Sequence, residues 1–279
     1  MIYFCLMKFL KILLNFYINS SIHVALAVYA LVRITEFYFN LPYQQNLNYF
    51  IFFGTITGYN FVKYAGVAKL HHRSLTNNLR IIQVFSFFCF VGMIYYAYLI
   101  PIKVFLYTIP FSLLTVLYAV PFLGGFKKNL REVSYFKGLV VALVWSGFTV
   151  LIPLLYAEES IDFNEVLSCI QRVLIVLVLI FPFDIRDVNY DAESLQTFPQ
   201  RIGVEKTKRL GVMLMIFSLI IEYMIASQEI VKTPLMLFFF LVLIFLMRAK
   251  TNQNKYYSAF WVEALPIFWW LILLGFHKL

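Results

Sequence analysis

Runs of about twenty apolar residues recur along the whole chain, and no other feature limits its fold so sharply. A helix of roughly that length crosses the hydrocarbon core of a bilayer. It also satisfies every backbone N–H and C=O internally, as lipid requires. Nine such runs are found, at 21–39, 48–68, 81–100, 102–120, 135–156, 165–183, 210–227, 234–248 and 259–276. Composition points the same way. Of the 279 residues, 62% are hydrophobic and 13% charged, against about 25% charged in a soluble globule. Intrinsic disorder, a disulfide-stapled secreted fold and a coiled coil are excluded on these figures. The expected fold class is all-α: a polytopic membrane helical bundle of about nine transmembrane helices, forming one domain over 20–279.

Residues 1–19 read differently. Lys8, Lys11, Asn15 and Asn19 recur at helical spacing on an otherwise apolar segment, which predicts an amphipathic helix lying in the membrane interface. The lysines interrupt the apolar region and no small-residue cleavage site follows, unlike a signal peptide. Pro101 separates two apolar runs by a very short loop, predicting an antiparallel helical hairpin. Cys5, Cys89 and Cys169 are odd in number and far apart, so neither a disulfide framework nor a metal cluster is indicated.

A net charge of +9 would suggest nucleic acid in a soluble protein. Here it follows the sidedness of membrane loops, and no nucleic-acid partner is expected. With nine spans, 17 of the 23 Lys and Arg residues fall on the side of the N-terminal helix. The opposite side carries Glu158, Glu159, Asp162 and Glu165. The basic side is therefore assigned to the cytoplasm, in a multi-pass protein of the cell inner membrane.

Ionisable groups at membrane depth are costly and mark candidate sites. Asp184, Asp187 and Asp191 stand at i, i+3 and i+7 at the basic end of the sixth run, which predicts one shared helical face. Like charges stacked there call for water, protons or a cation, and hard oxygen ligands at this spacing suit Mg2+. A polar loop follows, Gln196-Thr197-Phe198-Pro199-Gln200-Arg201-Ile202-Gly203, and then a basic run.

The pattern Asp184-x-x-Asp187-x-x-x-Asp191 with Thr197-x-Pro199-x-Arg201-x-Gly203 resembles the second aspartate-rich motif of UbiA-type intramembrane prenyltransferases. The nine-helix layout is similar over nearly the whole chain. Leu117-Tyr118, Pro121, Lys127, Lys137 and Trp145 are similar to that family's fourth and fifth helices. The resemblance implies an isoprenyl diphosphate substrate held by Mg2+ on two aspartate motifs. It further implies ionisation to an allylic cation and attack by an acceptor, here unidentified, aromatic or lipid-like. Asp184, Asp187 and Asp191 would be the metal ligands, with Asp187 and Asp191 catalytic.

The first motif departs from the family. Asn60 is present, but Phe61, Val62, Lys63, Tyr64 and Ala68 stand where its three aspartates belong. Two readings follow. In one, Lys63 meets the diphosphate directly as a catalytic and substrate-binding cation, with Asn60, Arg73, Lys137 and Arg186 as further substrate contacts. In the other, the fold persists without ionisation, as a binder of an isoprenoid or quinone-like lipid or as a membrane assembly partner. A transporter is a third class, suggested by Arg33, Glu36, Arg172, Glu222 and Glu263 inside or near spans. The paired helix interruptions that such a fold would show are not found. Tyr59, Tyr64, Tyr118 and Trp145 are placed to shield an allylic cation.

The sidedness is directly testable. A cysteine introduced at Lys8 is expected to react with an impermeant maleimide only from the cytoplasmic face, and one at Glu159 only from the opposite face.

Overall fold

The computed structural model describes residues 2–64, 77–120, 136–190, 195–225 and 229–277. Eleven helices are defined among them: α1 (Ile2–Asn19), α2 (Ile22–Tyr38), α3 (Gln45–Tyr64), α4 (Asn77–Leu99), α5 (Ile102–Ala119), α6 (Phe136–Ser146), α7 (Phe163–Asp187), α8 (Phe198–Ile202), α9 (Val204–Met224), α10 (Glu229–Arg248) and α11 (Leu265–His277). A π-helical turn, Gly147–Leu151, carries α6 on into Ile152–Tyr156. A second π turn, Tyr257–Val262, precedes α11. No strand occurs among the described residues. The protein is an all-α, polytopic membrane bundle.

Helices lie over all nine apolar runs. On length and hydropathy, six are sufficient to cross a bilayer, and the bent pair α1–α2 makes up to seven. The expected count of nine is not reached by that criterion, for reasons of composition. In α3, Gln45, Asn46, Asn48 and Asn60 dilute the apolar run. In α9 the first turns carry Glu205, Lys206, Lys208 and Arg209, so that helix also starts earlier than the hydrophobic run beginning at 210.

Local chemistry sets several boundaries. Glu165 reaches back to accept the Asp162 N–H at 3.0 Å, fixing the start of α7. Pro101 stands at the N-terminus of α5, directly after α4. Ser21 adopts a left-handed backbone (φ 64°) between α1 and α2, and the two helix axes differ by 59° there. Lys8 and Lys11 on α1 are exposed. Asn15 instead turns inward and accepts from the Tyr256 hydroxyl at 2.7 Å.

The main core gathers Leu31 and Ile34 of α2, Ile175, Val178 and Phe181 of α7, Met215 of α9, Phe238 of α10 and Trp269 of α11. Phe238 and Trp269 stack at 4.5 Å. The long apolar side chains that stay exposed, such as Phe88 and Tyr95 on α4 and Ile102 on α5, form a lipid-facing surface.

Without a hydrophobic force between helices in lipid, close approach and hydrogen bonds hold such a bundle. A Cβ at Gly147 would lie 2.3 Å from the Phe111 ring, and one at Gly211 2.5 Å from Leu246. Polar contacts join α2, α6 and α7. Buried Arg172 donates to the Leu31 carbonyl at 3.1 Å and to the Thr35 hydroxyl at 3.3 Å. Thr35 donates to the carbonyl of Thr149, inside the first π turn, at 2.6 Å. Gln171 ties α7 to α9 through the Ser218 carbonyl and the Glu222 carboxylate. Arg33 and Glu36 form the i, i+3 ion pair that their spacing predicts. Most of the intramembrane charges that suggested a transporter are thus engaged in helix packing; Glu263 differs and belongs to the site described next.

Gly147→Ala is expected to cost about 1–3 kcal/mol through overpacking against Phe111. It should appear as a lowered unfolding midpoint of the detergent-solubilised protein.

Candidate functional site

Two helix ends, both on the side that the charge bias assigns to the cytoplasm, approach a single cavity. At the end of α3, Asn60 is buried (4% exposed) and fully occupied by protein. Its Nδ2 donates to the Ser20 carbonyl at 3.0 Å and to Ser86 Oγ at 2.6 Å, and its Oδ1 accepts from Ser21 Oγ at 2.8 Å. This amide clasps the α1–α2 elbow against α3 and α4. Lys63 Nζ, one turn on, donates to Ser21 Oγ at 2.9 Å. Tyr64 donates to the Asn19 carbonyl at 3.0 Å.

At the end of α7, Asp184 is 4% exposed and pairs with Lys137 Nζ at 3.1 Å. Lys137 lies in the first turn of α6, where a cation opposes the helix dipole; the carboxylate offsets that. Asp187 receives both arms of the Arg186 guanidinium, Nε on Oδ1 at 2.7 Å and Nη2 on Oδ2 at 2.8 Å. This pair sits at the edge of the protein, with side chains 25% and 31% exposed. The helix ends at Asp187 and a turn follows at 188–190. Asp191 and Arg73 lie outside the described residues.

Between these ends lies a cavity of about 140 Å3, lined by Tyr59 of α3, Val141 and Trp145 of α6, Leu179 and Phe183 of α7, and Glu263, among others. Trp145 Nε1 donates to the Tyr59 hydroxyl at 2.8 Å, bridging α6 and α3 across it. Tyr59 of α3 reaches it from one side and Phe183 of α7 from the other; Lys63 and Arg186 lie about one turn further along these helices and are not among its lining residues. Most of its lining is apolar. Among its described lining residues, Glu263 carries the charge. The Glu263 carboxylate lies within electrostatic reach of both Lys63 and Arg186, and of the Tyr59 hydroxyl.

Helical irregularity places these groups. The first π turn begins two residues after Trp145, and the second ends immediately before Glu263. A π turn inserts a residue and shifts the faces that follow. The second is anchored on α7 at Pro182, inside the helix. The Pro182 carbonyl accepts from Gln253 Nε2 at 2.9 Å and from Ser258 Oγ at 3.1 Å. That anchor brings Glu263 beside the end of α7. Glu263 stood out in the sequence only as an acid inside the last apolar run. A regular 3.6-residue periodicity could not say which way it faces, because the π turn intervenes. Ser21 carried no signal at all.

The described carboxylates do not fit a Mg2+ site as the second motif alone would build it. Both oxygens of Asp187 are taken by one guanidinium, Asp184 faces an ammonium, and no group of three or more His, Cys, Asp or Glu converges among the described residues.

Among solved structures, the chain is similar to that of digeranylgeranylglyceryl phosphate synthase in membranes. The match has a TM-score of 0.56 at 14% identity and covers 95% of this chain and 97% of that one. The two share a fold. No family model matches the sequence, and no curated protein matches it.

Asn60→Ala is expected to leave buried partners at Ser20, Ser21 and Ser86 unsatisfied, costing about 1–3 kcal/mol. Thermal unfolding in detergent measures it.

Proposed function

We propose that this protein is a UbiA-like prenyltransferase with an altered diphosphate site, moving a polyprenyl group from its diphosphate to an unidentified acceptor within the membrane. The observation that carries this reading is the cavity itself: apolar walls from α3, α6 and α7 with one acid, Glu263, which lies within electrostatic reach of Lys63 and Arg186. An amphiphile with a long apolar tail and a polyanionic head matches such a site. Two further lines support it. The fold is shared over nearly the whole length with a synthase whose named product is digeranylgeranylglyceryl phosphate. The pattern of Asp184, Asp187 and Asp191 resembles the second motif of the family.

At about 140 Å3 the cavity is smaller than the roughly 300–1,000 Å3 of a typical ligand pocket. It suits the reacting end of a prenyl chain, the remainder running out toward lipid. In the reaction, the C1–O bond of the prenyl diphosphate breaks and the electron pair leaves with the diphosphate. Lys63, as a point charge, and Arg186, as a planar fork, stabilise the negative charge that develops. The faces of Tyr59, Trp145 and Phe183 line the space where the allylic cation forms. The acceptor atom then bonds to C1 and releases its proton. The family resemblance implies Mg2+, which the described carboxylates, paired with Lys137 and Arg186, do not fit.

One observation favours a second reading, in which the protein binds an isoprenoid without turning it over. Asp184 and Asp187 are already neutralised by Lys137 and Arg186.

Lys63→Ala is expected to weaken binding of geranylgeranyl diphosphate by about tenfold or more, equivalent to at least about 1.4 kcal/mol. Unchanged affinity removes Lys63 from the site. Release of diphosphate from the bound substrate separates transferase from binder.

A further inference from the structure

Among the described residues, Lys63, Lys137 and Arg186 are set against Asp184, Asp187 and Glu263 at this site. Their pairings are not equivalent. Lys137–Asp184 is buried, with side chains 16% and 5% exposed, so neither partner can leave without a bare charge remaining in low dielectric. Arg186–Asp187 lies at the edge, and Asp187 can turn into water if its partner is taken. Glu263 lines the cavity and lies within electrostatic reach of both Lys63 and Arg186. A carboxylate clasped by both arms of a guanidinium occupies the geometry that a phosphate would take.

We infer that the diphosphate is held by Lys63 and Arg186 without a divalent metal, and that Asp187 and Glu263 are anionic placeholders which it displaces. The inference rests on the isoprenyl diphosphate reading above and states how that headgroup is recognised. On entry, phosphate oxygens replace Asp187 on the guanidinium fork, and Asp187 rotates to solvent. Glu263 loses its share of the two cations. Lys137–Asp184 stays in place and keeps α6 against α7. No covalent bond changes in this exchange; each cation trades one oxyanion for another.

A placeholder and a metal ligand respond to neutralisation with opposite signs, so the test is one of direction. The full-length protein in lipid nanodiscs is titrated with geranylgeranyl diphosphate in excess EDTA and in excess Mg2+, for the wild type, Asp187→Asn and Glu263→Gln. Affinity is expected to be equal in the two buffers. Each substitution should tighten binding by about tenfold, by removing a like charge from the headgroup position. The substitutions lie on different segments, Asp187 at the end of α7 and Glu263 between the second π turn and α11, so a folding defect in one leaves the other to decide. Binding that requires Mg2+, or that weakens in Asp187→Asn, overturns the inference and leaves the prenyltransferase reading standing. Metal-independent binding that neither variant tightens overturns the placeholder role. No binding by the wild type in either buffer overturns both the inference and the reading it rests on.

Discussion

A polar group at membrane depth has to find its partner inside the protein, because lipid offers none. That constraint organises this molecule more than apolar packing does. The helices have no hydrophobic incentive to prefer one another over lipid chains, so α2, α6, α7 and α9 are fixed largely by which donors meet which acceptors. Arg172 shows the outcome in the core, where its guanidinium is shared between a carbonyl of α2 and hydroxyls of α2 and the first π turn. Gln171 does the same toward α9. The candidate site obeys the same constraint at the bundle's end, with one difference. There the partners of α7 are ionic, and one pair is open to water.

Departures from regular helix are what turn this satisfied bundle into a site. The carbonyl of Pro182 on α7 accepts from Gln253 and Ser258. These hold the second π turn, and the π turn sets Glu263 against the cavity. The first π turn follows Trp145 by two residues and exposes the Thr149 carbonyl to Thr35. Each irregularity is satisfied by side chains of a neighbouring helix, which is how a membrane protein tolerates non-α backbone at depth. The cavity lies where these two shifted segments face α3 and α7.

How far this was legible in the sequence depended on the physical scale of the signal. The positions of the helices were readable because lipid imposes length and apolarity on every residue of a span. Their ends were less so: α9 begins in a charged stretch that hydropathy discards, and α3 is diluted by asparagines that turn out to be packing groups. For the site, the aspartate spacing pointed to the end of α7 next to the cavity, where Lys137 pairs with Asp184. What spacing could not give was pairing. Asp187 and Arg186 are adjacent in sequence, a separation at which a regular helix would not bring side chains together, yet they meet at the helix terminus where α7 gives way to a turn. Asn60 was read as a substrate contact, whereas its three hydrogen bonds are all spent on Ser20, Ser21 and Ser86. Glu263 was visible as an anomaly without a direction, since the inserted residue of a π turn leaves no mark in composition.

The elbow at Ser21 ties two things together that are usually independent. One hydroxyl sits at the bend between α1 and α2, donates to Asn60 and receives the ammonium of Lys63. Any change in the tilt of α1 against the bilayer surface therefore moves the atom on which Lys63 rests. The resting attitude of the first helix, and with it the thickness and headgroup charge of the surrounding leaflet, becomes a mechanical input to the cationic end of the cavity.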